Sequence, residues 1–168
     1  MGENSETSEY IFDTSALISL GTVKVIDEVL KLTKIVITPS IIKELEEFAK
    51  HSDEYGKASK EVLKYKDRFI VKKAEIKESI EFIQKTDNEI YNLAKKFSST
   101  LITDDIKLSR HVDGKIDTKF STFFLTLLVS SRHLSKEKAL EFLEKVRNIR
   151  NWRDNIIYSI TKNQLESL

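Results

Sequence analysis

Five acidic residues of this 168-residue chain stand where predicted strands end or predicted helices begin. They are Asp13, Glu44, Asp87, Asp104 and Asp105. Like charges at close range disfavour each other's ionisation, so a fold that gathers several carboxylates usually has a divalent cation to neutralise them. A hard cation with oxygen ligands is therefore the chemistry that these residue types indicate.

Apolar periodicity predicts the elements that must position the five acids. Short buried strands are predicted over residues 10–12, 35–37, 69–71 and 101–103, with amphipathic helices between them. This alternation indicates a parallel sheet with right-handed crossovers, in which ligands collect at the carboxyl ends of the strands. Three of the acids directly follow strands and lie at that edge. Glu44 and Asp87 are early helical residues, and helices that begin at this edge bring them toward the other three acids.

Local signals predict where several helices begin and end. A helix is predicted over residues 16–30 with a break at Gly21, and Pro39 marks the start of the next helix. A short helix is predicted over residues 76–83, from isoleucines at helical spacing. Another is predicted over residues 106–111, ending near a glycine.

Each acid also has a purely structural explanation. Residues 86–89 match a capping box, which places Asp87 in a first helical turn, where it could simply complement the helix dipole. Asp13 and Asp104 could be N-caps, since aspartate between a strand and a helix is a common cap. Glu44 has acidic neighbours, as on a solvated helix face. The joint placement of the acids favours a shared site over these separate roles.

Composition limits the classes of function. The chain has no cysteine, which excludes disulfides, thiol nucleophiles and thiolate zinc sites, and its three histidines are scattered along it. The apolar run 123–129 is far shorter than the roughly 20 residues of a membrane-spanning helix. Residues 1–8 are predicted to be a flexible tail without a secretory signal. We expect a cytoplasmic protein with no membrane association.

Charge is distributed unevenly although the formal net charge is only +1. Residues 1–106 hold 16 basic and 20 acidic side chains, and residues 107–168 hold 12 basic and 7 acidic ones. An acidic centre beside a basic half suits a metal-dependent enzyme that acts on a polyanion, because lysine and arginine bind phosphates. The alternative is that both halves are ordinary solvated surface.

Four segments, taken in order, resemble the motifs of the PIN-domain nucleases, in particular an archaeal, toxin-like type. They are FDTSALI at 12–18, TPSIIKEL at 38–45, the surroundings of Asp87 at 86–94, and LITDD at 101–105. The resemblance implies a three-layer α/β/α sandwich around a central parallel sheet. Its catalytic core spans residues 9–119, and extra C-terminal helices at 120–168 pack on the same domain. The implied activity is metal-dependent hydrolysis of RNA phosphodiester bonds through a metal-activated water.

The resemblance also assigns candidate roles to individual residues. The implied catalytic set is Asp13, Glu44, Asp87 and Asp105, and the implied ligands of Mg²⁺ or Mn²⁺ are Asp13, Asp87, Asp104 and Asp105. Asp105 fits the Thr-x-Asp form of the fourth motif better than its neighbour, which is then a cap or support. The hydroxyls that could orient ligands or phosphate are those of Thr14, Ser15 and Thr103.

The C-terminal region is a separate candidate for RNA binding. Residues 120–129 predict a helix that is apolar nearly all round, and Ser135 is the predicted cap of an amphipathic helix. Arginines near Trp152 could bind phosphates while the indole stacks on a base. Alternatively, the tryptophan is part of the core and the arginines cap helix ends. The arginines are Arg132, Arg147, Arg150 and Arg153.

Two other classes of function compete with the nuclease. A haloacid-dehalogenase-type phosphotransferase needs a second aspartate two residues after Asp13, where Ser15 stands instead. A non-catalytic RNA- or protein-binding module on the same fold is the stronger alternative. The resemblance also implies a homodimer and, beside RNA, an antitoxin or a ribosome-associated partner. The apolar helix at 120–129 is a possible dimer contact.

Overall fold

The fold is built on a five-stranded parallel sheet. The computed structural model describes residues 8–168. The strands are β1 (Glu9–Phe12), β2 (Lys34–Ile37), β3 (Ile70–Val71), β4 (Leu101–Ile102) and β5 (Thr118–Lys119). They pair in the order β3-β2-β1-β4-β5, and every pairing is parallel. Strand order reverses beside β1, which places a topological switch point between β1 and β4.

Helices flank the sheet on both sides, so the predicted three-layer α/β/α sandwich is confirmed. The helices are α1 (Thr14–Thr22), α2 (Ile26–Leu32), α3 (Pro39–Ala49), α4 (Glu54–Leu63), α5 (Lys85–Phe97), α6 (Ile106–Val112), α7 (Phe123–Ser130), α8 (Lys136–Ile149) and α9 (Ile156–Ser167), with a 3-10 turn at Lys66–Arg68. No helix in residues 8–168 is long and apolar enough to cross a membrane. Of the predicted N-terminal tail, residues 1–7 lie outside the described residues, and the Ser8 carbonyl accepts the Lys34 amide at 3.0 Å.

The C-terminal helices share the core of the sheet. Phe124 of α7 stacks on Phe12 of β1 with ring centroids 5.4 Å apart. Val146, Trp152 and Ile157 belong to the same buried cluster as the strands. The apolar helix predicted at 120–129 is observed as α7, and its Phe124, Leu125 and Leu128 are buried within the chain itself. The other prediction for this helix, a contact between two copies, stays a prediction.

The sequence predicts a helix break at Gly21, but this residue lies inside α1. The chain turns three residues later instead, at Lys24, whose φ is 57°. A Cβ atom on Gly21 would lie 2.6 Å from the backbone carbonyl oxygen of Ala58 in α4. Glycine is present because two helices approach closely there, a tertiary cause that helix propensity does not reveal.

Residues 72–84 form irregular chain, so the helix predicted over 76–83 is wrong. Two buried asparagines of α5 bind this segment instead. The Asn92 carboxamide oxygen accepts the amides of Lys77 and Glu78 at 3.0 Å each, and the Asn88 oxygen accepts the Ile80 amide at 2.8 Å. These side-chain bonds satisfy backbone groups that a helix would otherwise pair internally.

Candidate active site

Asp13 is the buried centre of the acidic residues. It follows β1, is the N-cap residue of α1, and has only 6% of its surface exposed. Its Oδ2 atom accepts hydrogen bonds from the hydroxyls of Ser15 at 2.6 Å and Thr103 at 2.8 Å. Within residues 8–168, no hydrogen bond reaches its Oδ1 atom. One carboxylate oxygen is thus fixed by the protein, and the other keeps its capacity to bind a ligand.

The two hydroxyls that hold Asp13 also join the ends of β1 and β4. The Ser15 hydroxyl accepts the Asp104 amide at 3.0 Å, and the Thr103 hydroxyl accepts the Asp105 amide at 3.1 Å. The Asp13 amide donates to the Ile102 carbonyl at 2.9 Å. The predicted orienting residues therefore lie in contact with the acids, at the switch point of the sheet.

Glu44 reaches the same place from α3. Thr38 caps this helix through a bond from the Ile41 amide, and Pro39 occupies the first turn. The Thr14 hydroxyl donates to Glu44 Oε2 at 2.5 Å. That bond distinguishes Glu44 from its exposed acidic neighbours, so the solvated-face explanation does not describe it.

Asp87 lies in the first turn of α5, as predicted, but the predicted capping box is displaced by two residues. The N-cap is Gln84, and its amide donates to Asp87 Oδ2 at 3.3 Å. Thr86 gives the stronger sequence signal, because threonine is preferred at this position and glutamine is not. Burial raises the pKa of Asp87 to about 6, and the negative charge of Asp13 contributes.

The cap role that the sequence offered to Asp104 belongs to Asp105 in the structure. Asp105, the predicted ligand, is also the N-cap of α6, with the Leu108 amide 3.0 Å from its Oδ1 atom. Asp104 is buried and is not a cap. Its two oxygens accept the amide and the hydroxyl of Ser121 at 2.8 and 2.7 Å. The structure therefore does not bring Asp104 to the acidic site, although it was predicted as a metal ligand.

A cleft of about 210 Å³ is lined by the four remaining acids, which are Asp13, Glu44, Asp87 and Asp105. Burial, followed by the charges of Glu44 and Asp105, raises the pKa of Asp13 above its ordinary value, while hydrogen bonds oppose the rise. Carboxylate oxygens around one cleft are the donors that hard divalent cations prefer. The donor set therefore fits Mg²⁺ or Mn²⁺.

The four acids line one cleft, but their carboxylates do not converge on one point. Within residues 8–168, no three acidic or histidine side chains are close enough together to hold an ion in their present rotamers. Their tethers explain the separation, because Asp87 and Asp105 accept backbone amides and Glu44 accepts a hydroxyl.

The four candidate RNA-binding arginines do not form one patch. Arg150 lines the acidic cleft, whereas Arg147 and Arg153 line a separate depression beside Trp152. Arg132 lies in the exposed turn after α7. Trp152 is only 6% exposed, so of the two alternatives for this residue the structure shows a core residue and not an exposed stacking surface.

Two aromatic residues of the cleft were missed by sequence reasoning. Phe48 and Tyr55 line it beside the acids. Phe48 follows Glu44 by one helical turn and therefore shares its face of α3, a signal that was present in the sequence. Tyr55 reaches the cleft through the packing of α4 on α3, which no local pattern records.

Comparison with known families decides the assignment. The family model DUF3368, described as a PIN domain, matches residues 9–166. The chain belongs to this PIN-domain family. PIN domains are generally nucleases and usually use divalent metal ions.

One solved structure similar to this PIN domain is a domain of a functionally unknown protein from Methanocaldococcus jannaschii DSM 2661. It is 22% identical, and the match covers 67% of this chain and 90% of the other with a TM-score of 0.47. No protein with curated annotation matches the chain significantly.

Proposed function

We propose that this PIN domain is a metal-dependent ribonuclease that hydrolyses RNA phosphodiester bonds through a metal-activated water. One observation carries the proposal: the four acids of the family pattern line a single cleft around the buried Asp13. Bound Mg²⁺ or Mn²⁺ would supply a water of lowered pKa and stabilise charge on the phosphate oxygens. No protein nucleophile is needed for this chemistry.

The residues of the chain have distinct parts in this proposal. Asp13 and Asp87 would hold the metal, and the raised pKa of each reflects burial that a cation would offset. Ser15 and Thr103 keep the Asp13 carboxylate in one orientation. Glu44 and Asp105 complete the acidic rim, as direct ligands or through water, since Mg²⁺ usually keeps several waters.

Replacement of Asp13 by asparagine tests the proposal. Asp13→Asn preserves the shape of the side chain and removes its charge, so we expect Mn²⁺-dependent cleavage of an RNA oligomer to fall by at least about 100-fold. Asp67→Asn is the matched control, because Asp67 is exposed on the 3-10 turn outside the cleft. Its cleavage rate is expected to equal that of the wild type.

The same assay separates the nuclease from its main alternative. If the wild type binds RNA but cleaves none with Mg²⁺ or Mn²⁺, the chain is a binding module on a PIN fold. Cleavage that survives in Asp13→Asn would show that the acids are not the active site. The homodimer and the antitoxin or ribosome-associated partner stay predictions, and light scattering of the purified protein tests the first.

A further inference from the structure

An aromatic pair forms one wall of the acidic cleft. The rings of Phe48 and Tyr55 stack with centroids 6.3 Å apart and planes inclined by 28°. Phe48 is 39% exposed, although a phenylalanine is usually buried. An apolar ring face is therefore open to solvent beside four carboxylates, where it contributes nothing to the metal site.

Arg150 adds a positive charge to this wall. Its guanidinium carbon lies 5.3 Å from the centroid of the Tyr55 ring, within the range of a cation–π contact. Its side chain has no hydrogen bond and no ion pair with any residue of the described range 8–168. Arg147, one turn earlier, binds Glu144 at 3.3 Å. The Arg150 guanidinium thus keeps its donors available for an anion.

Two consecutive helices and one distant residue produce this wall. Phe48 is near the end of α3, and Tyr55 is in the first turn of α4, where Asp53 caps the helix through the Gly56 amide at 2.8 Å. A Cβ atom on Gly56 would lie 2.1 Å from the His51 carbonyl oxygen, so only glycine permits the tight turn between the two helices. Arg150 follows α8, which packs against α1.

We propose that Phe48, Tyr55 and Arg150 position the nucleotide next to the scissile bond. The base stacks on the exposed face of Phe48, and the adjoining phosphate binds Arg150. Every base presents a π-face, and guanidinium groups match phosphate geometry, so the wall fits one unpaired nucleotide of RNA. This inference rests on the proposed ribonuclease function and adds to it residues that take no part in metal binding.

Steady-state cleavage of an unstructured RNA oligomer by the full chain with Mn²⁺ tests the aromatic part. We expect Phe48→Ala to raise KM by about tenfold while kcat stays within about twofold, because stacking holds the substrate before and during the reaction alike. Phe97→Ala is the matched control, since Phe97 is 46% exposed at the end of α5, away from the cleft. Its KM is expected to stay at the wild-type value.

The same assay tests the arginine. Arg150→Ala is expected to lower kcat/KM by about 10- to 100-fold. Arg150→Lys is expected to recover part of that loss, because lysine keeps the positive charge but cannot bind a phosphate through two parallel hydrogen bonds as arginine does. Lys145→Ala is the control, because it removes one positive charge from α8 at an exposed position outside the cleft. Melting temperatures of all variants show whether any loss comes from unfolding.

Abasic substrates identify the contact itself. RNA oligomers with one base removed on either side of the mapped cut are compared in the wild type and in Phe48→Ala. Removal of the base at one of these positions is expected to weaken binding to the wild type by about tenfold. The same removal should have no effect in Phe48→Ala, because that variant lacks the ring on which the base stacks. An equal loss in both proteins would overturn the role of Phe48.

Failure of this inference differs from failure of the proposed function. If Asp13→Asn abolishes cleavage while Phe48→Ala and Arg150→Ala keep wild-type KM and kcat, the wall is not a substrate contact and the nuclease assignment stands. If the wild type itself cleaves no RNA, the nuclease proposal is wrong, and so is the proposed role of the wall in positioning the substrate.

Discussion

Asp104 and Asp105 are adjacent in sequence, yet their carboxylates have different surroundings. Asp105 is exposed at the start of α6 and lines the acidic cleft. Asp104 is buried, and burial raises its pKa while bonds from Ser121 favour the charged form. These bonds attach the end of β4 to the turn before α7, so Asp104 serves the fold and Asp105 remains with the site.

Substitutions at the two positions are expected to separate stability from metal binding. Asp104→Ala removes two hydrogen bonds to a buried carboxylate and should lower the free energy of unfolding by about 2 kcal/mol. Asp105→Asn keeps a good N-cap residue but loses the charge, so stability should hold while Mn²⁺ affinity falls. Urea denaturation and calorimetric titration of Mn²⁺ measure the two quantities. A stable Asp104→Ala protein with weakened Mn²⁺ binding would reverse this assignment.

Asp87 makes the free energy of unfolding of the metal-free protein depend on pH. Its pKa is about 6 in the folded chain, against 3.8 for an ordinary aspartate. The folded state then holds its proton more tightly than the unfolded state, so the free energy of unfolding falls as pH rises from about 4 to about 6. Partial exposure limits the effect to about 2 kcal/mol. Urea titrations in a chelator at pH 4.5 and 7 measure the fall.

Two further measurements test whether Asp87 causes that pH dependence. Asp87→Asn should reduce the fall, because the substituted side chain does not titrate; Asp13 and Asp104, whose pKa values burial also raises, still titrate and contribute with the same sign. Mn²⁺ should raise the melting temperature more at pH 7 than at pH 5, since protons compete for the same oxygens. An unchanged pH profile in Asp87→Asn would assign the titration to another group.

At the scale of elements, α1 and α4 approach so closely that only glycine fits between them. Gly21→Ala places a methyl group 2.6 Å from the Ala58 carbonyl oxygen and 2.7 Å from a Val62 methyl. Relief of that overlap requires one helix to move, and we expect a loss of about 2 kcal/mol in unfolding free energy. Thermal denaturation measures it. Gly114→Ala, at φ 72° with open space around it, is a control for backbone strain without overlap.

The elements also show what the sequence could and could not predict. Asp13 was placed correctly because an apolar strand followed by an acid is a local signal. β5 was missed, since Thr118 and Lys119 carry no apolar pattern and become a strand only by pairing with β4. Arg150 could not be distinguished from the neighbouring arginines, because its position in the cleft depends on how α8 packs on α1.

At the scale of the molecule, the C-terminal helices and the sheet are expected to unfold together. Trp152 is the chain's single tryptophan and is buried in the same core as β1. Its fluorescence therefore reports the C-terminal region, whereas far-ultraviolet circular dichroism reports all helices. We expect both signals to give one midpoint in urea, as in a two-state transition. Two separate midpoints would divide the chain into independent folding units.

The reversal of strand order at β1 has a consequence during protein synthesis. Asp13 emerges among the first residues, but the hydroxyl of Thr103 and the carboxylate of Asp105 reach it only after β4 has paired with β1. A partly synthesised chain therefore lacks the arrangement of acids proposed to cut RNA. The acidic cleft is therefore completed late, because it needs the first strand of the chain and the later strand β4 together.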